Sequence, residues 1–373
     1  MDTHYLQYLL DKMVSIGASD LHLSIKIPPI IRKHGQLEKL SEEAALSEDQ
    51  LEAMLAVLLN DDQRQRLEED QSIDMGFTSE RGNRYRINIY YERRHVALAI
   101  RWLDDHIHSF ADLNLPKQLI RLVNMKDGLV LMTGTTGSGK TTTLASVVDQ
   151  INAQRPCHIL TIEDPIEFVY INRQAVIHQR EVGDDVPDFA SAVRSALRED
   201  PDVVLIGEMR DLDTMRAALM LAETGHLVFS TLHTNDAVGV IDRMIGAFPG
   251  NEQAGIRQQL SMVLRAVITQ LLMPTSNGSG RVPVNEILWV NNAVSHLIRE
   301  HKPEQIRSVM ETGRSIGNQT LDNALAERIN ESLIDIDQAR RMAWHPEQLE
   351  ELVKADKAGK TESGRQSGMA ERR

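Results

Sequence analysis

The stretch Leu129-Val130-Leu131-Met132-Thr133-Gly134-Thr135-Thr136-Gly137-Ser138-Gly139-Lys140-Thr141-Thr142 decides how the rest of the chain is read. Gly134 to Thr141 matches G-x-x-x-x-G-K-[ST]. An apolar strand leads into it and a helical run, Thr142 to Ile151, leads out. The chemistry calls for these residue types. Glycines let successive backbone N–H groups wrap a phosphate chain, and the positive end of the following helix faces it. Lys140 is expected to neutralise β- and γ-phosphate oxygens, and the Thr141 hydroxyl to ligate Mg²⁺.

Working outward, the apolar runs Ile159 to Ile162, Val203 to Ile206 and Leu227 to Ser230 alternate with helical stretches. Such runs are expected of parallel strands buried on both faces by helices, which makes this part of the chain α/β. Polar residues cluster where these strands end. Val203 to Ile206 runs into Gly207-Glu208, and a carboxylate there suits Mg²⁺ and its waters beside a phosphate loop. After Ile162 come Glu163, Asp164 and Glu167. One of them could orient or deprotonate water, or the segment is a solvated acidic loop; spacing leaves both open. His226 and His233 bracket the last strand. Position makes His226 the structural one and puts His233 near the γ-phosphate zone; no second ligand cluster accompanies them, so a metal site is disfavoured.

The first hundred or so residues have another texture. Apolar residues at 5, 6, 9, 10, 13 and 16 predict a helix with Gly17 as its C-cap. Ile30 to Lys33 and Gln36 to Leu40 flank His34-Gly35 as a hairpin, and Ser47 is an N-cap for a helix to Leu59. Arg84 to Trp102 reads as a second hairpin. Tyr85, Ile87 and Ile89, with Val96, Leu98 and Ile100, line one face, which leaves Arg84, Arg86 and Arg101 on the other. After about residue 251 the chain is expected to be mostly helical, interrupted by a turn at 276–280 and a strand over Asn285 to Val290. The expected organisation is an α+β domain over 1–105, a linker over 106–116, an α/β domain over 117–352 with a helical C-terminal region, and a disordered tail over 353–373.

Composition bounds the function. A chain of 373 residues with 42% hydrophobic and 25% charged side chains builds a sizeable core. A formal charge of −13 argues against coating nucleic acid. The single Cys157 excludes a disulfide scaffold and a four-cysteine zinc site within one chain. No apolar run is long enough to span a bilayer, and the first residues lack signal-peptide character, so a cytoplasmic protein is expected.

Several ordered stretches together resemble a known family. They are Ala18-Ser19-Asp20-Leu21-His22-Leu23-Ser24, the glycine loop, Ile159 to Phe168, Gln179 to Gly183, Ala196 to Asp202, the strand running into Met209-Arg210-Asp211, Thr224 to Thr234, and Leu297-Ile298-Arg299-Glu300. The chain is similar, over roughly residues 3–340, to type IV pilus retraction ATPases of the PilT/PilU kind, within the secretion-ATPase superfamily that includes GspE/PulE-like proteins. The resemblance implies an N-terminal PAS-like domain followed by a RecA-like P-loop ATPase domain, assembled as a homohexamer. It implies ATP and Mg²⁺ as cofactors, with Gly134 to Thr142 binding nucleotide between the two domains. Glu163 would act on water, Glu208 would hold Mg²⁺ through water alongside Thr141, His233 would sense the γ-phosphate, and Arg84, Arg86 and Arg101 would complete the site.

The activity implied is ATP hydrolysis coupled to pilus retraction and twitching motility. The partners implied are an integral inner-membrane platform protein at the pilus base and a paralogous retraction ATPase, with indirect membrane contact and no nucleic acid. Thr135 stands where the family commonly has Pro, Thr141 where Ser is usual, and Ala293-Val294-Ser295 departs from the commoner Ala-Ile-Arg. The alternative within the superfamily is a pilus-assembly or type II secretion ATPase. Those relatives usually carry four cysteines after the strand that corresponds to Val203 to Ile206, whereas Cys157 lies before it. A non-hydrolysing accessory subunit is disfavoured by Lys140, Glu163, Glu208 and His233, and a DNA translocase by the net charge.

Overall fold

The computed structural model describes residues 3–103 and 106–354. The chain divides into two compact units, Met1–His106 with Asp164–Val169, and Ile107–Glu163 with Tyr170–Arg373.

The first unit runs α1 (Thr3–Ser15), β1 (Asp20–Leu23), β2 (Ile30–Lys33), β3 (Gln36–Lys39), α2 (Glu48–Leu58), α3 (Asp61–Asp70), β4 (Ser72–Thr78), β5 (Arg84–Glu92) and β6 (His95–Leu103). The strands form an antiparallel sheet in the order β3-β2-β1-β6-β5-β4. Leu6, Leu9, Leu10 and Met13 of α1 share one core with Leu51, Met54 and Leu55 of α2 and with the sheet residues Leu21, Leu23, Tyr85, Ile87, Leu98 and Ile100. The alternation read from Arg84 to Trp102 is the alternation observed. Ile87 and Ile100 pair across the strands in the core, and on the other face Arg86 lies directly opposite Arg101. Arg93 and Arg94 turn the hairpin with φ of 50° and 71°, the positive values a two-residue primed turn requires. Ser47 caps α2 through a reciprocal capping box with Gln50.

The second unit runs α4 (Ile120–Val123), β7 (Gly128–Thr133), α5 (Lys140–Gln154), β8 (His158–Glu163), β9 (Val176–Glu181), α6 (Phe189–Ala196), β10 (Val203–Ile206), α7 (Leu212–Glu223), β11 (Leu227–Leu232), α8 (Ala237–Gly246), α9 (Gln253–Val263), β12 (Leu264–Pro274), β13 (Arg281–Trp289), α10 (Asn292–Arg299), α11 (Ile306–Thr312), α12 (Leu321–Asn330) and α13 (Ile336–Arg340). Its sheet has the order β13-β12-β7-β11-β10-β8-β9, parallel throughout except for the β12–β13 hairpin. Strands β7, β10 and β11 are buried along their whole length, as their apolar runs predict.

Two expectations are corrected here. The chain after 251 is not mostly helical up to the turn at 276–280: α9 passes directly into β12, an eleven-residue strand parallel to β7. The strand expected from Asn285 begins at Arg281, because it pairs with β12 from Pro274↔Arg281 to Ala266↔Trp289. Of the tail expected over 353–373, residues 353 and 354 are helical, with Val353 packed against the cluster that includes Leu325 and Leu349, which corrects its start; residues 355–373 lie outside the described residues. No helix among the described residues is long and apolar enough to cross a membrane. Cys157 is half-buried, and burial pushes its thiol up.

Phe229 sits in the middle of β11 with no exposed surface. Its replacement by Ala removes a buried ring from the centre of the parallel sheet, so stability should fall by about 3–5 kcal/mol, read as a lower urea midpoint with an unchanged slope.

Candidate active site

Because β7, β11, β10 and β8 are parallel, their C-terminal ends lie at one edge of the sheet, the usual place for ligands in such folds. The glycine loop leaves β7 there and enters α5. Gly134 has φ +136°, and a Cβ on it would stand 2.2 Å from the Gln270 carbonyl oxygen of β12. Gly137 and Gly139 also have positive φ. Thr135, Thr136 and Gly137 are exposed at the tip, while Ser138 and Lys140 are buried. Lys140 Nζ donates to the Gly134 and Thr135 carbonyls at 2.8 and 3.0 Å. Burial pushes its ammonium group down and the charge of Glu208 opposes that shift. Thr141 and Thr142, in the first turn of α5, are half-buried.

The neighbouring strand ends bring three further groups to this edge. Glu208, two residues beyond β10, meets His233 Nε2 at 2.9 Å through Oε1 and Arg210 at 2.9 Å through Oε2. Thr231 ties the turn before Glu208 by donating to the Gly207 carbonyl at 2.6 Å. Thr133, the last residue of β7, donates to the Leu232 carbonyl and accepts from the Thr234 amide, so it fixes the chain on either side of His233. Glu163 ends β8 and is 6% exposed. Its Oε1 accepts from Thr161 at 2.7 Å and, at 3.4 Å, from Gln179 of β9. Tyr170, buried nearby, has its phenol pushed well up by burial and by the charge of Glu163. His226 instead bonds the Leu221 carbonyl and Thr224 through Nδ1, closing the turn between α7 and β11.

The three arginines belong to the first unit, and each has a partner there. Arg86 binds Asp74 through Nε and a terminal nitrogen, and Arg101 Nε binds Asp20 at 2.9 Å. Asp20 on β1 lies directly opposite Arg101 on β6, and Arg101 opposite Arg86 on β5, while Asp74 on β4 reaches Arg86 from the diagonal position, so an aspartate closes each end of the row. The row offsets the repulsion of two guanidinium groups placed directly opposite each other. Arg86 is pushed up first by its bond to Asp74 and further by the charges of Glu167 and Asp164. Arg84 Nε donates to the Ile166 carbonyl at 3.1 Å.

A phosphate group fits the residues of the loop. Ser138 Oγ is buried in it with no hydrogen-bond partner, beside Gly134, whose φ and close approach exclude a side chain. The buried Lys140 ammonium supplies a cation whose charge an anion would favour. Sequence reasoning missed Gln270, 2% exposed on β12, whose amide bonds Ser138 and Thr143 of the loop and helix. The signal was the polar pair Thr269-Gln270 inside an apolar run. It also missed Gln179 as a partner of Glu163.

The sequence profile of the family described as type II/IV secretion system protein matches residues 3–351. The chain belongs to this family. It is 44% identical over 331 residues to the type IV pilus retraction ATPase PilT of Pseudomonas aeruginosa, covering 89% of this chain and 96% of that one. It is 43% identical to a twitching motility protein of Neisseria gonorrhoeae, covering 86% of each. Among solved structures, the pilus retraction motor PilT with bound ADP superposes with a TM-score of 0.84 at 42% identity, covering 92% of this chain and 98% of that one. The mixed α/β fold and the glycine loop are therefore those of a secretion-family ATPase.

The loop's geometry yields a test. Gly134→Ala puts a methyl group into the Gln270 carbonyl, a backbone atom that cannot turn aside, and at a φ that L residues rarely adopt. ADP binding measured by calorimetry should be lost, while the circular dichroism of the rest of the chain persists.

Proposed function

We infer that the chain is the motor ATPase that drives retraction of a type IV pilus. The carrying observation is the glycine loop on β7 set beside Glu208, His233 and Glu163 at neighbouring strand ends, in a chain similar along nearly its whole length to a pilus retraction ATPase. The chain is an ATP hydrolase of the type II/IV secretion family. We assign the N-terminal residues 1–105 to a PAS-like domain, joined by 106–116 to a RecA-like ATPase domain over 117–352. An antiparallel sheet with α1 and α2 against one face supports the first assignment, and the parallel sheet behind a P-loop supports the second.

In this reading Gly134 to Thr142 bind ATP, the backbone amides and Lys140 taking the phosphates and Thr141 taking Mg²⁺. Mg²⁺, when bound, neutralises charge that develops on the phosphate oxygens. Glu208 holds its waters, and the Glu208–His233 contact lets His233 report the γ-phosphate to the carboxylate. Glu163, clamped by Thr161 and Gln179, orients the attacking water and accepts its proton. Arg86, Arg101 and Arg84 stabilise γ-phosphate charge, with Asp74 and Asp20 yielding their guanidinium partners to the phosphate. A homohexamer, peripheral to the inner membrane at the pilus base and docked on the integral platform protein, completes the machine; a paralogous retraction ATPase is a further partner. In the host, deletion should leave cells with accumulated pili and no twitching, whereas bald cells would identify an assembly motor.

Removing the cation in Lys140→Ala should abolish hydrolysis, because no other lysine lies in the motif. Glu163→Gln should bind ATP and Mg²⁺ normally but turn over at least about a hundredfold more slowly. Steady-state ATPase assays with matched binding titrations check both, and near-normal turnover in either contradicts the assigned role.

Arg86→Lys and Arg101→Lys keep a charge for Asp74 and Asp20 but lose the forked donors. Turnover should fall by about 10²-fold or more with ATP affinity changing much less, as expected of groups that act in the transition state. If turnover holds while thermal stability drops, the two arginines serve only the sheet.

A further inference from the structure

Gln270 uses its side-chain amide on the loop more completely than a core residue needs to. Its Nε2 donates to the Ser138 carbonyl at 2.7 Å, and its Oε1 accepts from Thr143 Oγ1 and from Asn285 Nδ2, each at 2.9 Å. The Ser138 carbonyl can only accept, which settles which end of the amide faces it. Both lone pairs of Oε1 are thereby occupied, one by α5 and one by β13. The Gln270 main chain also touches the loop, its carbonyl standing where Gly134 would carry a Cβ, and a Cβ on Gly139 would lie 2.9 Å from Nε2. One residue therefore contacts the loop at its entry, at its exit and in the first turn of the helix that follows.

In a trans peptide the C=O and the following N–H point in opposite directions. Anchoring the Ser138 carbonyl on β12 turns the Gly139 N–H away from β12. Gly139, in the left-handed conformation with φ +82°, is the last residue before α5. An unanchored Ser138 carbonyl would be a buried acceptor with no donor, and the peptide would be able to flip.

We propose that Gln270 is a positioning residue for the phosphate-binding loop, holding the Ser138–Gly139 peptide so that the Gly139 N–H serves the diphosphate of a bound nucleotide. The proposal rests on the reading of this loop as the ATP site. The diphosphate is common to ADP and ATP, so both should depend on Gln270 equally. The chemistry at the γ-phosphate should depend on it little.

Gln270→Met removes both polar functions at similar volume. Gln270→Glu keeps the acceptor for Thr143 and Asn285 but cannot donate to Ser138 when ionised. Leu271→Ala, one residue on, weakens the packing of the hairpin on the opposite side of β12, against the cluster that includes Val284 and Leu325. Each full-length variant is titrated with ADP and Mg²⁺ by calorimetry, assayed for ATP turnover, and unfolded in urea.

Both Gln270 variants should raise the ADP Kd and the ATP KM by about tenfold while kcat stays within about threefold. Leu271→Ala should lower the urea midpoint and leave the ADP Kd unchanged. Wild-type ADP affinity in both Gln270 variants, a fall in kcat without a change in Kd, or an equal loss of affinity in Leu271→Ala would each overturn the proposal. Should Gln270→Met not fold, Gln270→Glu decides alone. Absence of ADP binding by the wild-type chain would instead defeat the nucleotide-site reading itself.

Discussion

The Gln270 carbonyl oxygen of β12 stands where residue 134 would carry its side chain, and only glycine permits that approach. From this contact follow the close pairing of β7 with β12 and the sharp exit of the loop from β7. With the Cβ absent, the loop can fold back far enough for its own carbonyls to hold Lys140. The helix α5 then starts at the lysine itself, its first amides facing the loop.

Parallel register does the rest of the assembly. Thr133 pairs with Leu232, Ile206 with Ser230 and also with Ile162. Polar residues that follow these strands in sequence therefore arrive at one edge without any loop having to search for them. Glu208 and His233, 25 positions apart in the numbering, meet at 2.9 Å because each lies just past its own strand. Burial then sharpens what these groups can do: Glu163 is almost fully enclosed and bonded, whereas His233 is left partly exposed at the rim.

Much of this was legible because buried parallel strands need uninterrupted apolar runs, and the hairpin from Arg84 to Leu103 alternates apart from the buried Ala97. The carboxylates and histidine could be placed once those strands were recognised. What escaped had a physical reason in each case. Between α9 and β12 there is no glycine, proline or polar break, so Val263 and Leu264 read as one continuing helix. Strand β9 stands at the edge of the sheet beside β8 and carries His178, Gln179, Arg180 and Glu181, too polar for a buried run. Helix α3 has almost no apolar stripe and is held at its start by the Asn60–Gln63 capping box. Gln270 was passed over because its meaning depends on strand β12, whose apolar run follows helix α9 without a break. The arginines were found by alternation, but their aspartate partners emerge only from strand pairing, Asp20 directly opposite Arg101 and Asp74 diagonal to Arg86.

The pairing of β7 with β12 joins residues far apart along the chain, Leu129 with Leu264 and Thr133 with Thr269. During synthesis the glycine loop leaves the ribosome long before the strand that braces it. Closing so long a segment carries an entropic cost that local helix formation does not. The loop can therefore take its final shape only after the chain has been made through β12, and competence to hold phosphate is among the last properties this unit acquires as it folds.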